Sequence, residues 1–146
     1  MKRILSATLI LLAWGISIVA QTSRSYMEKE IVGQSVQGPI SEVPTHEGTW
    51  VEWDSSEDNI IMMDGTKWKK TNSIDGLIHY RYVGTNGQPP KFTVLQEAVF
   101  SPDWTKMKIR YSFGMPGMLV PMVGIYSLLG DGKQLAIDWI NMPEDE

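Results

Sequence analysis

The chain contains no cysteine among its 146 residues. Disulfide stapling, thiolate zinc sites, iron–sulfur clusters and thiol catalysis all need that sulfur, so each is excluded, and lipid attachment through a cysteine goes with them. Histidine is nearly as scarce, with only His46 and His79, and a hydrolytic triad would need one of them beside an activated nucleophile and an orienting acid. No Gly-x-Ser-x-Gly elbow is present, and neither the Gly-x-x-x-x-Gly-Lys-Ser/Thr phosphate loop nor the Gly-x-Gly-x-x-Gly fingerprint occurs. The chemistry-bearing residues therefore point to a protein that is not an enzyme, with no cofactor and no metal centre.

Long apolar runs are also missing, with one exception. Lys2 and Arg3 precede an apolar stretch from Ile4 to Ala20, a positive n-region and h-region with the pattern of a secretory signal peptide cleaved after Ala20, an uncleaved anchor being the alternative. An exported protein, periplasmic or extracellular and without a membrane span once the leader is removed, is the expectation. Cleavage leaves 11 basic residues against 17 acidic ones. Such a field repels phosphate backbones and anionic headgroups, so nucleic acid is not an expected partner.

What remains is turn-rich, with 13 Gly and 8 Pro. Residues 21–47 are polar and follow neither a helix nor a strand period, which predicts an irregular lead-in in which residues 22–31 could form a short helix. From residue 48 to 142 short alternating runs recur. Met107, Ile109, Tyr111 and Phe113 alternate with Lys106, Lys108, Arg110 and Ser112; Ile78, Tyr80 and Tyr82 alternate with His79 and Arg81. Phe92, Val94, Ala98 and Phe100 fall on one face with Gln96, and Leu135, Ile137 and Trp139 complete the set as a last strand. Weaker runs lie at residues 49–54, 59–63, 66–70 and 122–129. Residues 143–146 form an acidic tail.

Asp64-Gly65, Asn86-Gly87, Ser101-Pro102-Asp103 and Gly130-Asp131-Gly132 supply hairpin chemistry between these runs. Short connections make neighbours in sequence neighbours in the sheet. The expected fold is all-β: an antiparallel up-and-down meander of about eight strands closing into a small barrel, with a β-sandwich as the alternative. The inward face would carry Tyr80, Tyr82, Met107, Ile109, Tyr111 and Phe113, and these are the candidate ligand-binding residues.

Gly48-Thr49-Trp50, opening the first strand of that meander, resembles the Gly-x-Trp entry of lipocalin-like (calycin-type) barrels, and the chain is similar to small bacterial exported domains of that kind. The resemblance implies a Trp closing the barrel floor with a late basic side chain packed across it, for which Lys133 is the candidate. The family's Thr-Asp-x-x-Tyr signature is not present. A small apolar or amphipathic ligand is the implied partner; a solid β-domain contacting a protein or glycan is the alternative.

Other features carry weaker chemistry. His46 lies in the polar lead-in, where a solvated role is the ordinary one. His79 shares a face with Arg81, a pair that would hold a carboxylate if it faced the lumen; the apolar residues between them argue for the outside. Glu52, Asp54, Glu57 and Asp58 match no calcium-loop spacing and read as a solvated hairpin loop. Met115, Met118 and Met122 lie in a Gly- and Pro-rich stretch without a nearby His. Packing, or a flexible lid over the barrel mouth, suits them better than copper(I), so Met115 and Met118 join the ligand-binding candidates. Trp50 and Trp139 read as core, while Trp68 and Trp104 sit beside turns, as edge cover or as rings exposed for stacking.

Overall fold

The computed structural model describes residues 22–35, 38–42 and 47–143. The expected leader with its expected cleavage point, His46 and residues 144–146 of the expected acidic tail lie outside them. Nine strands are present: β1 (Thr22–Ser35), β2 (Gly38–Glu42), β3 (Gly48–Trp53), β4 (Asn59–Met62), β5 (Thr66–Lys70), β6 (Ile78–Thr85), β7 (Thr93–Phe100), β8 (Lys106–Phe113) and β9 (Val120–Asp131). One helix, α1 (Gln134–Ile140), follows.

From β3 to β9 each strand pairs antiparallel with the next, and β1 pairs with both β3 and β9. Eight strands thus close into a barrel, with β2 as an addition. Ser25 stands between Trp50 of β3 and Gly130 of β9, while Val32 stands between Ser41 of β2 and Val123 of β9. A strand has only two edges, so β2 and β3 lie along the same side of β1, one beyond the other. Closure removes the open edges that a sandwich of this length would leave.

Three expectations need correction. The stretch expected to be an irregular lead-in, or a short helix over residues 22–31, contains the longest strand of the barrel, the 14-residue β1. Its alternation is hidden because a bulge at Lys29 shifts the register between Glu28 and Glu30, and because Glu28 is buried beside Tyr26 on the inner side. The expected last strand is α1: with β1 already bonded to β9, the edge beside β9 that residues 134–139 would have joined is taken. Ala136 is the buried residue of that helix, whereas Leu135 and Ile137 are exposed. In β7 a bulge between Leu95 and Glu97 turns the strand over, so Ala98 and Phe100 point inward but Phe92 and Val94 are exposed.

The interior is filled at one end. Phe100 is at the centre of a ring cluster, with centroids 5.9 Å from Tyr26, 5.4 Å from Trp53, 5.6 Å from Tyr80 and 5.4 Å from Trp104. Three of these rings partner their polar atoms: Trp53 Nε1 donates to Tyr80 Oη at 3.1 Å, Tyr80 Oη donates to the Glu57 carbonyl at 2.7 Å, and Tyr26 Oη donates to the Trp104 carbonyl at 2.8 Å. The Arg24 guanidinium lies 5.0 Å from the centre of the Trp53 ring and 5.4 Å from that of Trp104, within cation–π range. Chain direction puts this plug at the end where β3 runs into β4, β7 into β8, and β9 into α1.

Helix α1 packs on the outer face of β1 and β3. Ser25 fixes it there, donating its Oγ–H to the Gly132 carbonyl at 2.6 Å and accepting the Ala136 N–H at 3.1 Å. Gly48 permits the close approach, since a Cβ there would lie 3.2 Å from both Trp139 Cδ1 and the Tyr26 carbonyl. No helix among the described residues is long and apolar enough to cross a membrane.

Candidate functional site

The opposite end of the barrel is open. It is the end of the Asp64-Gly65 turn, the 86–92 loop and the 114–119 loop. A cup of about 360 Å³ opens there, lined by Glu28, Ile31, Glu47, Asp64, Pro90, Thr93, Leu95, Ile109, Tyr111, Phe113 and Tyr126. The wall is built by cross-strand register: Ile109 of β8 faces Gly124 of β9, which in turn faces Ile31 of β1. Gly124 has no side chain to fill the space, and a Cβ there would come within 3.0 Å of the Tyr126 ring and 3.6 Å of Glu28 Oε1. The cup exists in part because that position is glycine.

Glu28 is the unusual member. It is only 6% exposed, and its Oε2 has no hydrogen-bond partner among the described residues. Burial, reinforced by Glu47 facing it, pushes its carboxyl up to about 8. Burial also raises the phenols of Tyr126 and Tyr111, with the Glu28 and Glu47 charges adding to the effect. Asp64 is better satisfied, accepting from the Thr66 N–H at 3.0 Å and the Thr66 hydroxyl at 2.6 Å, while Thr66 Oγ1 accepts from Trp68 Nε1 at 2.9 Å.

The residues singled out from sequence separate into three groups. Ile109, Tyr111 and Phe113 line the cup; Phe113 is 51% exposed at its rim, and Ser112 is the buried neighbour, its hydroxyl accepting from the Gln96 amide at 3.4 Å. Tyr80 and Met107 are fully buried in the packed interior, and Tyr82 stacks edge-on against Trp68 at 5.5 Å. Met115 and Met118 stand on the 114–119 loop at the open end, exposed by 58% and 77%, and neither lines the cup. Glu28, Glu47 and Tyr126 were not identified from sequence. Glu28 falls in the supposed lead-in and Tyr126 in a weak run interrupted by Gly124; period-two spacing of Tyr26 and Glu28 is the one signal that could have flagged the former.

The Gly-x-Trp segment behaves differently from the resemblance. Lys133 does lie over the Trp50 ring, 4.3 Å from its centre, and pairs with Glu52. Trp50 pairs with Ser25 on the outer face, however, and Lys133 directly precedes α1 rather than opening a strand. The indole that closes the interior is Trp53, and the basic group across it is Arg24 of the first strand.

His79 and Arg81 are on the outer face, since Tyr80 between them is buried in the interior. His79 Nδ1 bonds Glu97 Oε1, whose other oxygen lies 3.8 Å from Arg110. The acidic segment after β3 is a turn in which Asp54 accepts from Ser56, the Asp58 N–H and Asn59, and no group of three or more candidate metal ligands occurs among the described residues. Trp68 is core, and Trp104 packs as edge cover against the Trp53 and Phe100 rings. Compared with known proteins, the chain matches no protein-family model and no curated protein.

Proposed function

We propose that the protein is an exported, lipocalin-like barrel that binds a small apolar or amphipathic ligand in its open end and carries out no reaction on it. One observation carries this reading: the barrel is plugged by aromatic rings at one end and hollow at the other. A volume of about 360 Å³ falls within the range of roughly 300–1,000 Å³ usual for small-molecule sites. Ile31, Leu95, Ile109 and Phe113 offer apolar contact, and the tyrosines and carboxylates orient a polar end. Export rests on the leader sequence.

The test is uptake of an apolar fluorescent dye by the leader-free protein. Saturable one-to-one binding, abolished by filling the cup with Ile109→Trp and retained in the rim variant Met118→Ser, is expected. Absence of saturable uptake by the wild type would overturn the reading.

A second reading is favoured by the apolar groove outside the cup, about 470 Å³, lined by Phe92, Thr93, Val94, Gly114, Pro116 and Leu119. Phe92, Val94 and Leu119 are all exposed, and exposed apolar patches of this kind mark contact surfaces. On that reading the barrel is a scaffold and the groove meets a protein or glycan. Phe92→Ser would then remove partner binding while dye uptake persisted.

A further inference from the structure

The cup is one-sided in charge. Its lining holds three acidic groups, Glu28, Glu47 and Asp64, and no lysine, arginine or histidine. A cluster of carboxylates alone would be an ordinary solvated rim, but Glu28 is not at the rim. It is 94% withdrawn from solvent, with an oxygen that finds no donor among the described residues. A carboxylate so placed has lost its hydration and faces the Glu47 carboxyl within hydrogen-bonding reach, a state that persists only if the pair holds a proton or meets a cation. A proton shared with Glu47 satisfies one oxygen of Glu28 but leaves Oε2 without a donor, which an ammonium group with its three N–H donors would supply.

Given the binding role proposed above, on which this inference rests, we infer that the ligand is an amphipathic amine: its ammonium group meets the Glu28 and Glu47 carboxylates, and its apolar body lies against Ile31, Leu95, Ile109 and Phe113. The Tyr111 and Tyr126 rings beside Glu28 add an electron-rich flank suited to a cation. An anionic or zwitterionic head is disfavoured by the same three acids. The raised carboxyl of Glu28 fits this assignment, since the arriving ammonium would displace its proton and leave a charge-assisted pair.

The test uses four probes with one tail and different heads: octylamine, octyltrimethylammonium, 1-octanol and octanoate, titrated into the leader-free protein near neutral pH. Octylamine should bind at least about tenfold more tightly than octanol, the yield of one hydrogen bond to a charged group, and octanoate should bind most weakly. Glu28→Gln, which keeps the shape, should bring octylamine to within about twofold of octanol while octanol affinity is unchanged. Titration of wild type in two buffers of different ionisation heat should show proton release with octylamine and none with octanol.

If octanol or octanoate binds as well as octylamine, the amine assignment is wrong although the cup still binds ligands. If none of the four binds, the binding role itself fails. Equal affinity for octyltrimethylammonium and octylamine would replace the hydrogen-bonded amine with a quaternary cation. Displacement of octylamine by millimolar calcium chloride would make the site one for inorganic cations and overturn the proposal. Should the Glu28→Gln chain not fold, the wild-type ranking of amine, alcohol and acid decides.

Discussion

Replacing Ser25 by alanine removes one oxygen and leaves a buried amide and a half-buried carbonyl without partners. Ser25 is fully buried between β1 and α1, and the same hydroxyl serves the Gly132 carbonyl and the Ala136 amide. Ala136 lies in the first turn of α1, where amides have no partner within the helix, and Lys133 at the helix start offers no side-chain hydrogen bond. Ser25 is therefore the cap of this helix, supplied from more than a hundred residues away. Each stranded buried group costs about 1–3 kcal/mol, and part of that is recovered if the helix end opens to water, so the expected loss is about 2–4 kcal/mol. In urea, where small proteins lose roughly 1–3 kcal/mol per molar, the midpoint should fall by on the order of 1–2 M. Tryptophan fluorescence follows the transition, and amide exchange at Ala136 should accelerate more than exchange in β8. Ser55→Ala, in the exposed β3–β4 turn, is the control. A loss under about 0.5 kcal/mol, the range of ordinary surface substitutions, would refute the reasoning.

Phe100→Ala should cost about 3–5 kcal/mol, because that ring touches four others; calorimetry that showed a loss comparable to a surface change would deny the plug its role. Glu28 has a folded-state pKa raised by burial, so the folded chain binds its proton more tightly than the unfolded one, and that contribution is lost as pH rises from the ordinary carboxylate range through about 8. Wild type should lose stability over that interval at up to about 1.4 kcal/mol per pH unit, with Glu47, Asp64, Tyr111 and Tyr126 facing the group, while Glu28→Gln should be flatter; parallel urea-derived curves would exclude Glu28 as the source. Gly48→Val should push against Trp139 and the Tyr26 carbonyl, lift α1 and cost about 1–3 kcal/mol, visible as faster exchange of the α1 amides than of the barrel amides.

The alternation in Lys106–Phe113 was legible because β8 is regular: each basic residue points out and Met107 and Ile109 point in. Turn chemistry was equally open, with Gly65 and Gly87 both at positive φ where the Asp-Gly and Asn-Gly steps require it. The first strand was not legible. Its inner side includes the buried acid Glu28, and a buried acid breaks the very pattern by which strands are recognised, while the bulge between Glu28 and Glu30 resets the phase. Residues 134–140 misled for the opposite reason. Seven residues make barely two turns, and over so short a span Leu135, Ile137 and Trp139 satisfy a strand period as well as a helical one. The cup was half visible: Ile109, Tyr111 and Phe113 follow from β8, but the acids that give it character depend on β1 and on the approach to β3, where only tertiary pairing brings Glu28 beside Tyr126.

The ring of strands is completed by its two extremes, Arg24 against Asp131 and Ser25 against Gly130. Such distant partners raise contact order, and folds dominated by them form slowly. During synthesis the first strand emerges long before its final neighbour exists, and an unclosed edge invites pairing with other chains. The interior is therefore sealed only when the last strand reaches the first, and until then both flanks of that seam stay open.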